Sequence, residues 1–329
     1  MTDSVLSLLR FIADQQFHSF DEIKRETGLS EDEVSNALAT LASEGIEAEA
    51  SAGRGCRLIS AFRPWDADEI RSHLGGHARA FAIDLVDQTG STNDDLIVKA
   101  RQGAPGGLVR IAEIQTAGRG RRDRSWYSAP GAALTFSVLW VFSSDKRALS
   151  GLPLAVGVSL VRSLRAFGLE DVQLKWPNDL LWKRCKLGGI LIESSARADG
   201  RVSAVIGIGM NLRLLPGVAE RIGQPAADLE SAGLQAGRDE LLARVLIDLK
   251  DVLEVFSREG FAALQQEWGR LHAYQDKMVR LDMAGDKYVE GRVIGVDDYG
   301  ALLLDTASGR RAFHAGELSL RAAGSQTID

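Results

Sequence analysis

Six apolar segments between residues 80 and 212 carry the composition of β-strands: FAIDLVD, LVRIAEI, ALTFSVLW, VQLKW, LGGILIES and RVSAVIGIGMNL. Each is short and rich in Val, Ile, Leu or Phe, residues that suit a pleated, half-buried surface. A helical pattern intervenes at 151–168, where Leu152, Val156, Leu160, Leu164 and Phe167 share one face. Strands alternating with helices predict a central α/β domain. At 329 residues the chain exceeds one ordinary core, so two or three domains are expected.

The flanks have different rhythms. Val5, Leu8, Leu9 and Ile12 follow helical spacing, and two capping boxes follow, Ser19 with Glu22 and Ser30 with Glu33. TGLS between the boxes supplies the tight turn of a helix-turn-helix. The helix after it buries Val34, Leu38 and Leu41 and stops at Gly45. EAEASAGRGCRLIS then alternates around Gly53 and Gly55 as a hairpin wing. AFRPWDADEI, residues 61–70, reads as a linker punctuated by Pro64. Beyond the sheet, residues 214–238 lack periodicity and are expected to form a mobile loop. Helices follow through Leu242, Val245, Leu249, Val252 and Phe256, and through Phe261, Leu264 and Trp268. From Lys277 onward short strands alternate with Gly/Asp turns, as in a small all-β barrel. The expected fold is thus an α+β multidomain chain. It has a winged helix-turn-helix at 1–63, a central α/β domain at 64–272 and an SH3-like β-barrel at 273–329.

Charge divides unevenly. Residues 1–62 hold 5 Lys/Arg against 11 Asp/Glu, a net of −6, while the whole chain is 39 − 45 = −6, so the remainder is neutral. No apolar run reaches the ~18 residues of a membrane span, and MTDSVLSLLRFIAD lacks the layout of a signal peptide. Cys56 and Cys185 have no metal spacing and read as free thiols, which points to the cytoplasm. His73 and His77 stand four apart, but Gly75 and Gly76 argue against a helix that would align them on a metal.

Against this background QTAGRGRRDRSWYS, residues 115–128, concentrates four arginines and two glycines within 118–124. Gly118 and Gly120 allow close backbone approach, and Arg119, Arg121, Arg122 and Arg124 can fork onto phosphate or carboxylate oxygens. The loop is neither a Walker A sequence nor a dinucleotide fingerprint, and GIGMNL at 207–212 also fails the latter pattern. A solvated basic turn, or nucleic-acid stacking on Trp126 and Tyr127, remain open readings of the loop alone. Two further groups stand beside it. Ser91, Thr92 and Asn93 in GSTNDD either bond a polar ligand or cap a helix from Asp94. In KWPNDLLWKRCKLGGIL, Lys186 either reaches a phosphate or snorkels at a strand end, and Asp179 either binds Mg²⁺ or sits in a turn after Pro177.

Taken in order, GSTN, Q-x-A-G-R-G-R-R-x-R-x-W, KWPND and K-x-x-G-I-L-x-E resemble the biotin protein ligases. The winged helix and terminal barrel resemble those bifunctional bacterial members that also repress the biotin operon. The resemblance implies an ATP- and Mg²⁺-dependent enzyme that makes biotinyl-5′-AMP. It then transfers biotin to a lysine of the biotin carboxyl carrier protein of acetyl-CoA carboxylase. It implies catalytic roles for Lys186, Arg121 and Asp179, with Mg²⁺ near Asp179. Biotin and its adenylate would be held by Ser91, Thr92, Asn93, Gln115, Arg119, Gly120, Arg121, Trp126, Lys186 and Gly189, and ATP by Lys175, Asn178 and Asn211. Operator DNA would meet Lys24, Arg25, Asn36, Arg54 and Arg57, in a ligand-linked homodimer. Two departures stand out: Asp123 where the family commonly has Gly, and no aromatic residue in 214–238. The expected recognition helix, SEDEVSNALATLASEG, also has no Lys or Arg. A ligand-sensing transcription factor without ligase activity and a lipoate ligase are the alternatives.

Overall fold

The structure, a computed structural model, describes residues 3–127, 129–143, 149–215, 225–283, 287–314 and 319–322. Residues 216–224 of the loop expected at 214–238 lie outside them, as does the side chain of Asp123.

The chain begins with three helices, α1 (Asp3–Phe11), α2 (Phe20–Thr27) and α3 (Glu31–Ser43), and a hairpin of β1 (Ala48–Ser51) and β2 (Gly55–Leu58). Both capping boxes form: the Ser19 and Ser30 hydroxyls accept from the Glu22 and Glu33 amides, and each glutamate accepts in return from its cap residue. Gly28 ends α2 in the left-handed conformation, φ 76°, which glycine reaches without steric cost. Val34, Ala37 and Leu41 are the buried residues of α3; Leu38, expected there, is only half-buried and packs at the margin.

Residues 61–70 are not all linker. Asp66 accepts from the Asp68 and Glu69 amides and starts α4 (Ala67–Leu74), which buries Ile70 and Leu74. The acidic first turn after Pro64 and Trp65 is a helix start that the proline obscures. Next come β3 (Ala82–Thr89), α5 (Thr92–Arg101), β4 (Leu108–Gln115), β5 (Ala133–Phe142) and α6 (Leu152–Ala166). They are followed by β6 (Val172–Lys175), β7 (Asp179–Trp182), β8 (Cys185–Ala196), β9 (Val202–Asn211), α7 (Arg238–Glu259) and α8 (Ala262–Leu271). Strands β3 to β9 make one seven-stranded sheet in the order β3-β4-β5-β9-β8-β7-β6, with only β3 and β4 parallel. Alternation along the central strands gives each face its cover. Leu139 and Val205, paired across β5 and β9, meet Leu96 and Ala100 of α5. Val138 and Ile206, next in register, join the core built by α6 and α7 on the other face.

Strand β7 is absent from the sequence expectation. Its hairpin to β8 turns at Lys183 and Arg184, both left-handed at φ 48° and 67°, without the Gly or Asn that usually announces such a turn. The chain ends in β10 (Met278–Asp282), β11 (Tyr288–Val296), β12 (Leu302–Thr306), β13 (Gly309–Phe313) and β14 (Ser319–Ala322), an antiparallel sheet of order β13-β12-β11-β10-β14. Its buried Val279, Leu281, Val293 and Leu302 share the core of the central sheet. Trp176, before a cis Pro177, donates its indole N–H to the Gly300 carbonyl at 3.0 Å. The N-terminal core likewise runs on into Ile114, Ala129, Ala132 and Leu215. Arg10 pairs with Asp87, and the Tyr127 hydroxyl donates to Glu44.

Candidate active site

A cleft of about 580 Å³ opens over the sheet, large enough for a drug-sized ligand. The three motifs converge on it. Ser91, Thr92, Asn93, Gln115, Arg119, Gly120, Arg121, Trp126, Lys175, Asn178, Asp179, Lys186, Gly189 and Asn211 all line its wall.

At one end lies a buried polar chain. Gln115 Oε1 accepts from the Thr92 amide at 2.8 Å and from its hydroxyl at 3.1 Å. Ser137 Oγ donates to Asn93 Oδ1 at 2.6 Å, so its own proton is spent. Thr92 Oγ1, 2.7 Å from Ser137 Oγ, is therefore the donor of that contact, sharing its proton with Gln115. Asn93 Nδ2 donates onward to Glu193 Oε2 at 2.8 Å. Ser91 caps α5 by accepting from the Asp94 amide, one of the two readings its sequence allowed, and it also lines the cleft.

The floor is made by glycines on β9. Gly207 and Gly209, two apart, share a strand face. A Cβ on Gly207 would sit 3.0 Å from Asn93 Cγ, and one on Gly209 would lie 2.6 Å from Trp126 Cζ2 and 2.9 Å from its Nε1. Each glycine thus admits a side chain against bare backbone. Trp126 Nε1 is buried with no partner among the described residues.

The arginine loop covers this floor as a short hairpin. Trp126 N donates to Gly118 O at 2.8 Å, Gly120 N to Arg124 O at 2.6 Å, and Arg119 bridges Ser125. At its tip Arg122 is left-handed, φ 58°. Arg119 points to carboxylates, with Nη2 2.5 Å from Asp94 Oδ1 and 2.8 Å from Glu193 Oε2. Arg121 points inward, donating to Asn178 Oδ1 at 3.0 Å. Burial and the neighbouring Arg122 hold the Arg121 pKa below the usual guanidinium range, against the pull of Asp179. At the other end, Lys186 Nζ stands 3.1 Å from Asp179 Oδ1, on strands paired in register. A Cβ on Gly189 would lie 3.6 Å from that ammonium and 3.5 Å from the carboxylate, so glycine leaves the pair's face open.

The expected ATP-side residues divide. Asn178 Nδ2 is bound to Ile190 O at 2.8 Å, which aims Oδ1 at Arg121. Asn211 Nδ2 is committed to Ala227 O at 2.9 Å, where it ties residues 225–227 against Lys186. The expected DNA residues lie apart from the cleft, on α2, α3 and the wing. Arg54 and Arg57 stack on Phe17 at 3.8 and 4.7 Å, Arg57 also pairs with Glu49 at 2.9 Å, Arg25 pairs with Glu26, and Asn36 is exposed.

Comparison with known proteins decides the family. Residues 85–211 match the biotin/lipoate A/B protein ligase family, and residues 276–321 the biotin protein ligase C-terminal domain. The chain is 33% identical over 318 residues to the bifunctional ligase/repressor BirA of Salmonella typhimurium, spanning 97% of this chain and 98% of that protein. The chain belongs to the biotin protein ligase family. Identity to the biotin–[acetyl-CoA-carboxylase] ligase of Mycobacterium tuberculosis is also 33%, over 78% of this chain and 95% of that one. The biotin protein ligase of Aquifex aeolicus, solved with biotin and ATP, superposes with a TM-score of 0.62 at 28% identity, covering 73% of this chain and 99% of that chain.

The ligase also places residues in the site that sequence reasoning gives no role: Ser137, Glu193, Gly207 and Gly209. Ser137 lies in an apolar strand and carries no visible signal. The glycines do: G-x-G at a period of two inside a strand marks close approach of another group. Glu193 ends the motif K-x-x-G-I-L-x-E. No helix of the described residues is long and apolar enough to cross a membrane, and Cys56 and Cys185 are free.

Proposed function

We propose that this biotin protein ligase joins biotin to ATP inside the cleft and then passes biotin to a lysine of the biotin carboxyl carrier protein of acetyl-CoA carboxylase. The observation that carries the reading is convergence. A buried polar chain, an indole on a glycine floor and a pair of cations lie in one cavity, in the order of a ring, an aliphatic tail and a carboxylate.

The polar ring of biotin would bond at Ser91, Thr92, Asn93 and Gln115, and Trp126 would cover the tail, with the Gly189 backbone beside it. The carboxylate would then lie near Arg121 and Lys186. Attack of a carboxylate oxygen on the α-phosphorus forms a C–O–P bond, and the bond to pyrophosphate breaks. Two anions must meet for this, and Arg121 and Lys186 lower the cost of that approach in a site shielded from water. In the second step the acceptor amine attacks the acyl carbon, loses a proton, and AMP leaves with the bond electrons. The loop over the cleft keeps water from the mixed anhydride meanwhile. Among the described residues Asp179 is the one carboxylate lining the cleft, and no trio of His, Cys, Asp or Glu is gathered there. That suits Mg²⁺, which is commonly held by one or two carboxylates and the substrate phosphates. Bound there, Mg²⁺ would neutralise phosphate charge. Lys175 and Asn178 would face the nucleotide, with Asn211 positioning the adjoining backbone.

The domain division at 1–63, 64–272 and 273–329 belongs to the same proposal, with a winged helix-turn-helix first and an SH3-like barrel last. Repression of biotin synthesis is a second reading. The ligase/repressor relative matches 97% of the chain and the relative named only as a ligase 78%. DNA would meet Lys24, Arg25, Asn36, Arg54 and Arg57, with α3 contributing no cation, in a homodimer linked to ligand. Pyrophosphate release tests the enzyme: it should require biotin and not respond to lipoate, and release with lipoate alone would move the assignment to a lipoate ligase. A gel shift on the biotin operator, with and without biotinyl-adenylate, tests repression; no shift at low salt rejects it.

A further inference from the structure

We propose that Glu193 is a positioning residue that clasps the arginine loop to the buried polar pocket, and that Arg119 is the loop's anchor and not a contact to the substrate anion. This rests on the cleft being the biotin site.

Three separate elements meet at this point. Arg119 comes from the loop, Asp94 from the first turn of α5 and Glu193 from the middle of β8. Arg119 Nη2 donates to Asp94 Oδ1 at 2.5 Å and to Glu193 Oε1 and Oε2 at 3.0 and 2.8 Å. The same Oε2 accepts from Asn93 Nδ2 at 2.8 Å. Glu193 therefore joins the loop to the end of the donor chain Thr92, Ser137, Asn93. Ser137 and Asn93 donate in turn toward Glu193, with Thr92 sharing its proton between Ser137 and Gln115, and such a chain polarises its members toward the carboxylate.

The arginines of the loop are thereby sorted. Arg119 is compensated by two carboxylates, which outweigh its partial burial and raise its pKa above the usual guanidinium range. It offers little charge to a further anion. Among the described residues Arg121 has only an asparagine oxygen on its Nη1, and it feels the charge of Asp179, the partner of Lys186. Of the two, Arg121 is the arginine left to act with Lys186 on the carboxylate and phosphate. Ligand in the polar pocket fixes Asn93, which fixes Glu193 and so holds Arg119. By reciprocity, a firmer clasp slows loss of the ligand.

The test uses the full-length ligase. Glu193→Gln keeps an acceptor for Asn93 and removes the charge that holds Arg119. It should raise the biotin KM and shorten the lifetime of bound biotinyl-adenylate, each about tenfold, while the ATP KM stays within about twofold. Arg119→Gln should reproduce this pattern, and the double variant should be no worse than either single, as expected for partners in one contact. Asp94→Asn should give a smaller loss with the same signature. A wild-type adenylate lifetime in Glu193→Gln, or losses that multiply in the double variant, would overturn the proposal. If Glu193→Gln lowers the melting temperature markedly, the Arg119→Gln and Asp94→Asn lifetimes decide alone, since both residues lie at the exposed rim. Biotin-dependent pyrophosphate release by the wild type is the control: its absence would count against the cleft assignment and not against the clasp.

Discussion

Glu113 and Arg238 form the most deeply buried ion pair of the described residues, with side chains 2% and 7% exposed. The bonds are 2.8 Å to Oε1 and 2.6 Å to Oε2. Glu113 Oε1 also accepts from the Gly131 amide at 2.7 Å, and the guanidinium stacks 4.1 Å from the Trp65 ring. The pair thus ties β4, the segment after the arginine loop, the segment before α4 and the start of α7 at one point. In Arg238→Met the Trp65 packing is largely kept, but the carboxylate stays buried with a single N–H for company. That should cost about 3–5 kcal/mol, the usual penalty for orphaning one member of a buried pair. Adding Glu113→Gln removes the stranded charge and leaves an amide oxygen for Gly131, so the double variant should recover to a net loss of about 0–2 kcal/mol. Urea denaturation followed by circular dichroism measures all three. The reasoning fails if Arg238→Met costs less than about 1 kcal/mol, or if the double variant loses the sum of the singles.

Two further outcomes follow from local geometry. Gly209→Ala should displace the Trp126 indole at a cost of about 1–3 kcal/mol, raising the biotin KM tenfold or more with little change for ATP; equal KM values in variant and wild type would show that the indole does not cover the tail. His272, 4% exposed, stacks on Trp268 at 4.5 Å, and neither ring nitrogen has a partner among the described residues. Burial, with Lys277 nearby, pushes its pKa from 6.5 down to about 3. Between those values the unfolded chain binds the extra proton, so stability falls as pH drops from 6.5 toward 3. His272→Phe should flatten that part of the profile of melting temperature against pH, and an unchanged slope would contradict the burial argument.

Much of this was legible in the chain because local rules and tertiary structure agree. The capping boxes at Ser19 and Ser30, the apolar face from Leu152 to Leu164 and the six apolar strands all appear where periodicity places them. The misses are places where one signal masks another. Pro64 hides the Asp66 cap of α4, and Asn178-Asp179 reads as a turn and hides β7, whose far turn uses Lys183 and Arg184 against their backbone preference. In the site, the motifs identify which residues gather but not their partners. That Arg119 faces Asp94 and Glu193 while Arg121 faces Asn178 depends on contacts 25 to 74 residues apart, which no local pattern encodes.

The central claim is that Lys186, set 3.1 Å from Asp179 and opposite Arg121, helps bring the biotin carboxylate to the α-phosphate. Single-turnover formation of biotinyl-adenylate by Lys186→Ala, at saturating biotin and ATP, tests it most directly. Removing a cation aimed at developing charge should slow this step about 10²- to 10³-fold. A rate within about threefold of wild type, far below that expected loss, would contradict the account.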